Sequence, residues 1–286
     1  MIRSISLGII GHPIGHSLSP LMHETAALSL GIDLSYKAFD VAPDKLEEFI
    51  ARLRAEGIDG LNVTVPHKVA VMEFMDEISS EASAIGAVNT IVNNDGELTG
   101  YNTDGYGLVT SIEANAGVQI KDKKIFVYGA GGAARAVCRA VYDQACSRLV
   151  IANRTESKAV EIANGLNSSS ADVTAMGFDS NKLVDSIKTA DIIINTTSMG
   201  MEGAAPEPPP GIEGVSKGQL VVDIVYRPLD TPLLKKAKAL GAGTLDGLWM
   251  LIHQGARSFG LWTGEKFPVE LVREKLLSEL NGNPGK

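Results

Sequence analysis

The feature that most limits how this chain can fold lies near its middle. An apolar run, residues 124–128, breaks into Gly129-Ala130-Gly131-Gly132-Ala133-Ala134 and then into an amphipathic stretch. Strand, G-x-G-x-x-A, helix is the turn that seats a dinucleotide on a parallel sheet. Gly129 permits the tight turn, Gly131 lets the backbone approach a pyrophosphate, and Ala134 allows close helix packing. Ala130, Gly132 and Ala133 belong to the same loop and helix start, whose backbone N–H groups face an anion. Around this turn the pattern repeats: a helix through Asp143, a strand at 148–152, another helix, and strands at 191–195 and 220–225. That rhythm predicts a doubly wound α/β unit.

The second of these strands runs out as Ala152-Asn153-Arg154-Thr155. An NAD site usually carries a carboxylate there, about 20 residues beyond the glycines, to hold the ribose hydroxyl. None is present. Arg154 instead offers a planar fork, and Lys158 a second cation one helical turn on, which suits a 2′-phosphate and favours NADP(H) over NAD.

Residues 1–104 have a different texture, alternating strand-like and helix-like segments: a strand at 5–11, a helix from near Ser19, a strand at 35–41 and a helix at 44–56. In the last, Leu46, Phe49, Ile50 and Leu53 form one apolar stripe closed by Gly57. A strand at 60–66 and two short helices follow. Runs at 88–93 and 97–101 then flank Asn94-Asp95-Gly96, a hairpin signal that makes this sheet mixed. Residues 205–211, rich in proline, read as a surface loop. The chain becomes helical again from 247 to about 280, with a frayed tail at 281–286.

Composition excludes several classes. Lys and Arg number 26 against 34 Asp and Glu, a net charge of −8 with no basic face, the wrong sign for a nucleic-acid binder. No apolar run approaches the ~18 residues that cross a bilayer, and residues 5–10 lead into Gly11-His12-Pro13 without a cleavage pattern. Cys138 and Cys146, about 12 Å apart if they share one helix, are too distant to pair, which suits the cytoplasm or a comparable reducing compartment. His12, His16, His23, His67 and His253 match no metal spacing, so no metal is expected. There is no G-x-S-x-G elbow, and the serines beside His16 lack an acid partner.

The polar residues of the first hundred positions cluster in motifs. In the run GHPIGHSLSP at 11–20, Ser19 is placed to cap a helix with Pro20 at its first turn. Ser17 and Ser19 at a helix N-terminus also make a seat for a carboxylate. In NVTVPHK at 62–68, Asn62 and Thr64 alternate with valines on one strand face, and Lys68 stands just past the strand end, where ligands of open α/β sheets lie. A lysine there is more often a solvated charge. Asn89 and Asp104 add further donors and acceptors, though Asp104 would serve equally as a helix cap.

Nine motifs in order, GHPIGHSLSP, NVTVPHK, GAVNT, YNTDG, GAGGAAR, NRT, NTTSMGM, DIVYRP and HQGA, identify the chain as similar to the shikimate dehydrogenases, from Gly11 to Gln254. The resemblance implies reversible, NADPH-dependent reduction of 3-dehydroshikimate to shikimate in the chorismate route. It also implies two domains: a split N-terminal α/β substrate domain with a mixed sheet, 1–104 plus 247–286, and a Rossmann-type NADP domain, 105–246. Carried over by motif, Ser17 and Ser19 hold the substrate carboxylate. Asn62, Thr64, Asn89 and Gln254 bind ring hydroxyls, Lys68 and Asp104 are catalytic, and Tyr226 closes on the substrate. Thr197, Met201, Ile224 and Gly247 lie along the cofactor, beside Asn153, Arg154 and Thr155. Lys158 stands where many members carry Arg. A broader quinate/shikimate dehydrogenase that accepts NAD, and a non-catalytic shikimate sensor, are the rival readings; either a monomer or a homodimer is compatible with the chain.

Overall fold

The computed structural model describes residues 4–166 and 171–282. It divides into two compact units, one formed by Met1–Thr103 with Ile252–Lys286 and the other by Asp104–Leu251. Against the sequence-derived boundaries, the first junction differs by one residue and the second by five.

The first unit opens with β1 (Ile5–Gly11), α1 (Ser19–Ser29), β2 (Leu34–Asp40), α2 (Leu46–Glu56) and β3 (Gly60–Val63). It continues with β4 (Glu77–Ile78), α3 (Ser80–Ile85), β5 (Thr90–Asn94) and β6 (Glu97–Tyr101). The six strands lie in the order β2-β1-β3-β5-β6-β4, with β1 parallel to both β2 and β3, and β5 antiparallel to both β3 and β6. The hairpin turns where Asn-Asp-Gly predicts it: Asp95 and Gly96 have φ of 52° and 97°, the left-handed pair that suits the strand twist. Leu46, Phe49, Ile50 and Leu53 are all buried, and Gly57 ends α2 with φ 68°. Alternation sorts β1 between two cores, Ile10 toward α2 and Leu7 with Ile9 toward Tyr36.

The second unit contains α4 (Asp104–Thr110), β7 (Lys124–Tyr128), α5 (Gly132–Asp143), β8 (Arg148–Asn153), α6 (Glu156–Gly165) and β9 (Asp172–Gly177). After these come α7 (Leu183–Lys188), β10 (Ile192–Asn195), β11 (Leu220–Asp223), α8 (Pro232–Ala239) and β12 (Gly243–Leu245). All six strands are parallel, in the order β12-β11-β10-β7-β8-β9. That is the doubly wound arrangement in which the order reverses between β7 and β10. Its strands read as continuous apolar runs because both faces are covered. Ile125, Val127, Leu149 and Ile151 join one core, and Phe126, Tyr128, Val150 and Ala152 the other.

Two helices finish the chain: α9 (Gly247–Thr263), which begins in the second unit and ends in the first, and α10 (Val269–Gly282). No helix among the described residues is long and apolar enough to cross a membrane.

Several sequence expectations need correction. Ser19 is not the helix cap; Leu18 occupies that position without a side-chain bond, because the helical turn starts one residue early. The strand at 60–66 stops at Val63, so Thr64 lies beyond it. Cys146 is not on the helix of Cys138, which ends at Asp143; both thiols are buried and unbridged. Pro209 is buried although its loop carries neither helix nor strand. The C-terminal helical region is interrupted after Thr263, and Asn281 and Gly282 remain helical, while 283–286 lie outside the described residues. Strands β4, β9 and β12 escaped the sequence pattern: all three sit on sheet edges, where half-exposed residues blur the alternation.

Candidate active site

In the first unit, tertiary folding gathers polar side chains from β2, β3, the approach to β5, the exit of β6, and α9. Asn62, at the end of β3, is buried with both ends of its amide engaged. Its Oδ1 accepts from the Tyr36 hydroxyl at 2.7 Å, and its Nδ2 donates to Thr90 Oγ1 at 3.2 Å and Ser258 Oγ at 3.3 Å. Asn89 Oδ1 accepts from the Thr103 backbone N–H at 2.8 Å and the Thr90 hydroxyl at 2.9 Å. Its Nδ2 donates to Thr103 Oγ1 at 3.0 Å and, at 3.5 Å, to Gln254 Oε1. Asn62, Asn89 and Gln254 are thus brought into one network. Thr90, Thr103, Ser258 and Tyr36, which sequence reasoning did not select, complete it. Ser258 stands one turn after Gln254 on the same helix and Thr90 beside Asn89, and those spacings were the only signals available.

The other candidates of this unit are placed as follows. Ser17 Oγ accepts from the Ser19 backbone N–H at 3.2 Å, and Ser19 is buried. Thr64 and Lys68, both half-buried, follow β3 at its carboxyl end. Behind this region lies His23, fully buried, with its ring stacked on Tyr36 at 4.7 Å and edge-on to Trp262 at 5.3 Å. Among the described residues neither imidazole nitrogen has a hydrogen-bond partner. Burial lowers its pKa to about 3, the nearby Asn62 amide offsetting only part of the effect. Burial likewise raises the Tyr36 phenol, which keeps it a donor.

In the second unit the glycine turn and the end of β8 leave the sheet side by side. Tyr128 pairs with Ala152, and the Gly129 N–H donates to Ala152 O at 2.8 Å. Gly129 has φ 106°, and a Cβ there would lie 2.4 Å from Thr196 Oγ1, so glycine is required. Gly131 precedes α5 with open space where a Cβ would stand. Ala130 is buried, while Gly132 and Ala133 form the half-exposed first turn of the helix. Asn153 Nδ2 donates to Thr155 O at 2.8 Å, and Arg154, Thr155 and Lys158 are exposed.

Across the switch point, Thr197 donates through both its N–H, at 3.0 Å, and its hydroxyl, at 2.7 Å, to Asn195 Oδ1. Asn195 Nδ2 in turn donates to Asp223 Oδ1 at 2.9 Å, and Thr231 Oγ1 donates to Asp223 Oδ2 at 2.7 Å. Asp223 is fully buried, and burial raises its pKa to about 6 against the pull of those bonds. Sequence reading missed this Asn195–Asp223–Thr231 strap. Gly247 approaches Ile224 so closely that a Cβ would meet its carbonyl oxygen at 2.3 Å. Met201 is exposed, Tyr226 is half-buried with its phenol raised by burial, and buried Asp104 is the first residue of α4.

A glycine turn opening a sheet of Rossmann strand order, beside a strand end bearing arginine instead of a carboxylate, defines a two-unit α/β protein of the dinucleotide-binding class. Family models described as "Shikimate dehydrogenase substrate binding domain", "Shikimate / quinate 5-dehydrogenase" and "Shikimate 5'-dehydrogenase C-terminal domain" match residues 9–91, 111–203 and 247–277. Shikimate dehydrogenase (NADP(+)) of Geobacillus kaustophilus is 43% identical over 273 residues, 96% of this chain and 98% of that one. A crystal structure of shikimate dehydrogenase in complex with NADP+ matches with a TM-score of 0.88 at 42% identity, covering 98% of both chains. That of shikimate 5-dehydrogenase from Listeria monocytogenes, in complex with shikimate and NAD, matches at 0.87 and 36%, covering 96% of both. The chain belongs to the shikimate dehydrogenase family.

Proposed function

We propose that this protein is an NADP-dependent shikimate dehydrogenase, reducing 3-dehydroshikimate to shikimate reversibly. The observation that carries this reading is the pairing, in one chain, of the polar set around Asn89 and Gln254 with an arginine where an NAD site would hold a carboxylate.

The residues present fit NADP(H). Gly131 leaves open space before the first turn of α5, where a side chain would crowd a pyrophosphate, and Arg154 and Lys158 are exposed beside it on the β8 side. In this reading the loop from Gly129 to Ala133 holds the pyrophosphate, and Asn153, Arg154, Thr155 and Lys158 the adenosine ribose and its phosphate. Thr197, Met201, Ile224 and Gly247 line the nicotinamide end. When bound, NADPH supplies the hydride.

Everything else falls to side chains. Ser17 and Ser19 seat the carboxylate at the N-terminus of α1, favoured by the helix dipole. Thr64, Asn89 and Gln254 read ring hydroxyls, Tyr226 covers the ring, and Asp104 accepts from a hydroxyl and orients it. The Lys68 ammonium donates a hydrogen bond to the substrate carbonyl oxygen, stabilises the negative charge that develops there, and delivers the proton.

The test is reduced-cofactor formation from shikimate and from quinate, each with NADP and with NAD. Turnover concentrated on shikimate with NADP is expected. Comparable rates with quinate or NAD would move the protein to the broader dehydrogenases, and silence in all four from folded protein would remove the enzymatic reading.

A further inference from the structure

A doubly wound sheet takes its ligand beyond the carboxyl ends of its strands, beside the point where the strand order reverses. Two fully buried polar residues stand at such ends: Asn195 closes β10, Asp223 closes β11, and the two are register partners. Burial raises the Asp223 carboxyl only to about 6, so at neutral pH it is ionised and can only accept. Three donors converge on it: Asn195 Nδ2 at 2.9 Å, the Val225 backbone N–H at 3.1 Å and the Thr231 hydroxyl at 2.7 Å.

Two arms of chain hang on this carboxylate. In the first, the Thr197 backbone N–H and hydroxyl both donate to Asn195 Oδ1, at 3.0 and 2.7 Å, and the Met199 N–H donates to Thr197 Oγ1 at 3.2 Å. A side-chain amide thus does for this turn what a strand partner does elsewhere, and Asp223 holds that amide by its other end. Both Thr197 protons are spent inside the loop, so what Thr197 brings to a cofactor is position. In the second arm, Thr231 donates to Asp223 while its oxygen caps α8 by accepting from the Leu234 N–H at 3.2 Å, which fixes the far end of the segment 224–231. The arms also meet. The Glu202 N–H donates to Arg227 O at 2.9 Å, and Gly200, with φ 83°, lies so close to α8 that a Cβ would stand 3.1 Å from Pro232 Cδ. The glycine turn and the end of β8 are joined instead through backbone, from the Gly129 N–H to Ala152 O.

We propose that Asp223 is a positioning residue for the nicotinamide half of the cofactor, holding through Asn195 and Thr231 the two loops that carry Thr197, Met201 and Ile224. The adenosine half does not depend on it. This rests on the reading of those three residues as the lining of the nicotinamide end. An amide in place of the carboxylate offers one acceptor oxygen where donors arrive at two. Whichever way it turns, one arm loses its partner and has to be ordered by the ligand, at a cost in affinity.

The test titrates NADPH, and adenosine 2′,5′-bisphosphate, which carries the 2′-phosphate but no nicotinamide, into folded protein by calorimetry. Asp223→Asn and Thr231→Val are each expected to weaken NADPH about tenfold and to leave the bisphosphate within about twofold. Thr231→Ser, which keeps the hydroxyl, should bind both like the parent, and Arg154→Ser should lose affinity for both. An unchanged NADPH affinity in Asp223→Asn and Thr231→Val, equal losses for the two ligands in them, or a Thr231→Ser protein that behaves like Thr231→Val would overturn the proposal. Unchanged binding of both ligands to Arg154→Ser would instead overturn the cofactor reading on which it rests.

Discussion

Replacing His23 by phenylalanine should make the protein less sensitive to acid, by an amount the structure sets. The imidazole is fully buried among Tyr36, Phe259, Trp262 and Phe267, and its pKa falls from 6.5 to about 3. Between those values the unfolded chain binds a proton that the folded chain refuses, so stability rises with pH and is lost as pH falls below 6.5. At about 1.4 kcal/mol per pH unit, the loss reaches about 3 kcal/mol near pH 4.5 and about 5 at full titration. Phenylalanine keeps the stacking and has no proton to refuse. It also removes ring nitrogens that lack a partner among the described residues, a change of about 1–3 kcal/mol in its favour at every pH. Any cost of the larger ring is likewise independent of pH, so it cancels when two pH values are compared. Urea unfolding of both proteins near pH 7.5 and near pH 4.5, followed by intrinsic fluorescence, gives the difference directly. The variant should gain about 3 kcal/mol relative to the parent on acidification. Equal stability differences at the two pH values would refute the reasoning.

Three further outcomes follow from the site. Arg154→Ser, removing a charge-assisted contact of about 1.5–3 kcal/mol, should raise the KM for NADP roughly 10- to 100-fold and leave weak NAD turnover unchanged, measured by initial rates. Lys68→Ala should lower kcat about 10²- to 10⁴-fold with a smaller change in the shikimate KM; an intact kcat with weakened binding would remove its role as proton donor. Asp223→Asn should loosen the loop held through Asn195 and Thr197, raising the NADP KM. Because burial raises the Asp223 carboxyl to about 6, the folded state binds its proton first. The parent should therefore gain stability relative to this variant as pH falls from about 6 to about 4, a slope opposite in sign to that of His23.

Much of the architecture was readable along the chain because it is local. The turn from Gly129 to Ala134, the hairpin at Asp95-Gly96 and the stripe from Leu46 to Leu53 each depend on a few neighbouring residues, through φ freedom or helical spacing. At the head of α1 the helical turn starts one residue early, so Leu18 stands where Ser19 is expected. The edge strands β4, β9 and β12 depend on contacts that are not local, because each exists only where a neighbouring strand offers its backbone. Period-2 alternation placed Asn62 and Thr64 on one strand face, but β3 ends at Val63 and leaves Thr64 beyond it. The Asn62 amide is taken up by the buried Tyr36 hydroxyl, Thr90 and Ser258.

Sequence alone therefore determined the parts whose chemistry is carried by residue type and short spacing: a glycine turn before a helix, an arginine without a carboxylate at a strand end, a lysine past a strand, and the order of motifs that places the family. Tertiary structure alone decided orientation. Asn62 and Ser258 are 196 residues apart in the chain, and which way the Asn89 amide is turned within its network depends on the Thr103 backbone N–H, 14 residues away and fixed by the strand that precedes it. The same holds for His23, whose charge is suppressed by aromatic rings from β2 and the C-terminal helical region. Hydrogen-bond direction and desolvation are properties of what surrounds a group, and those surroundings exist only once distant segments have packed.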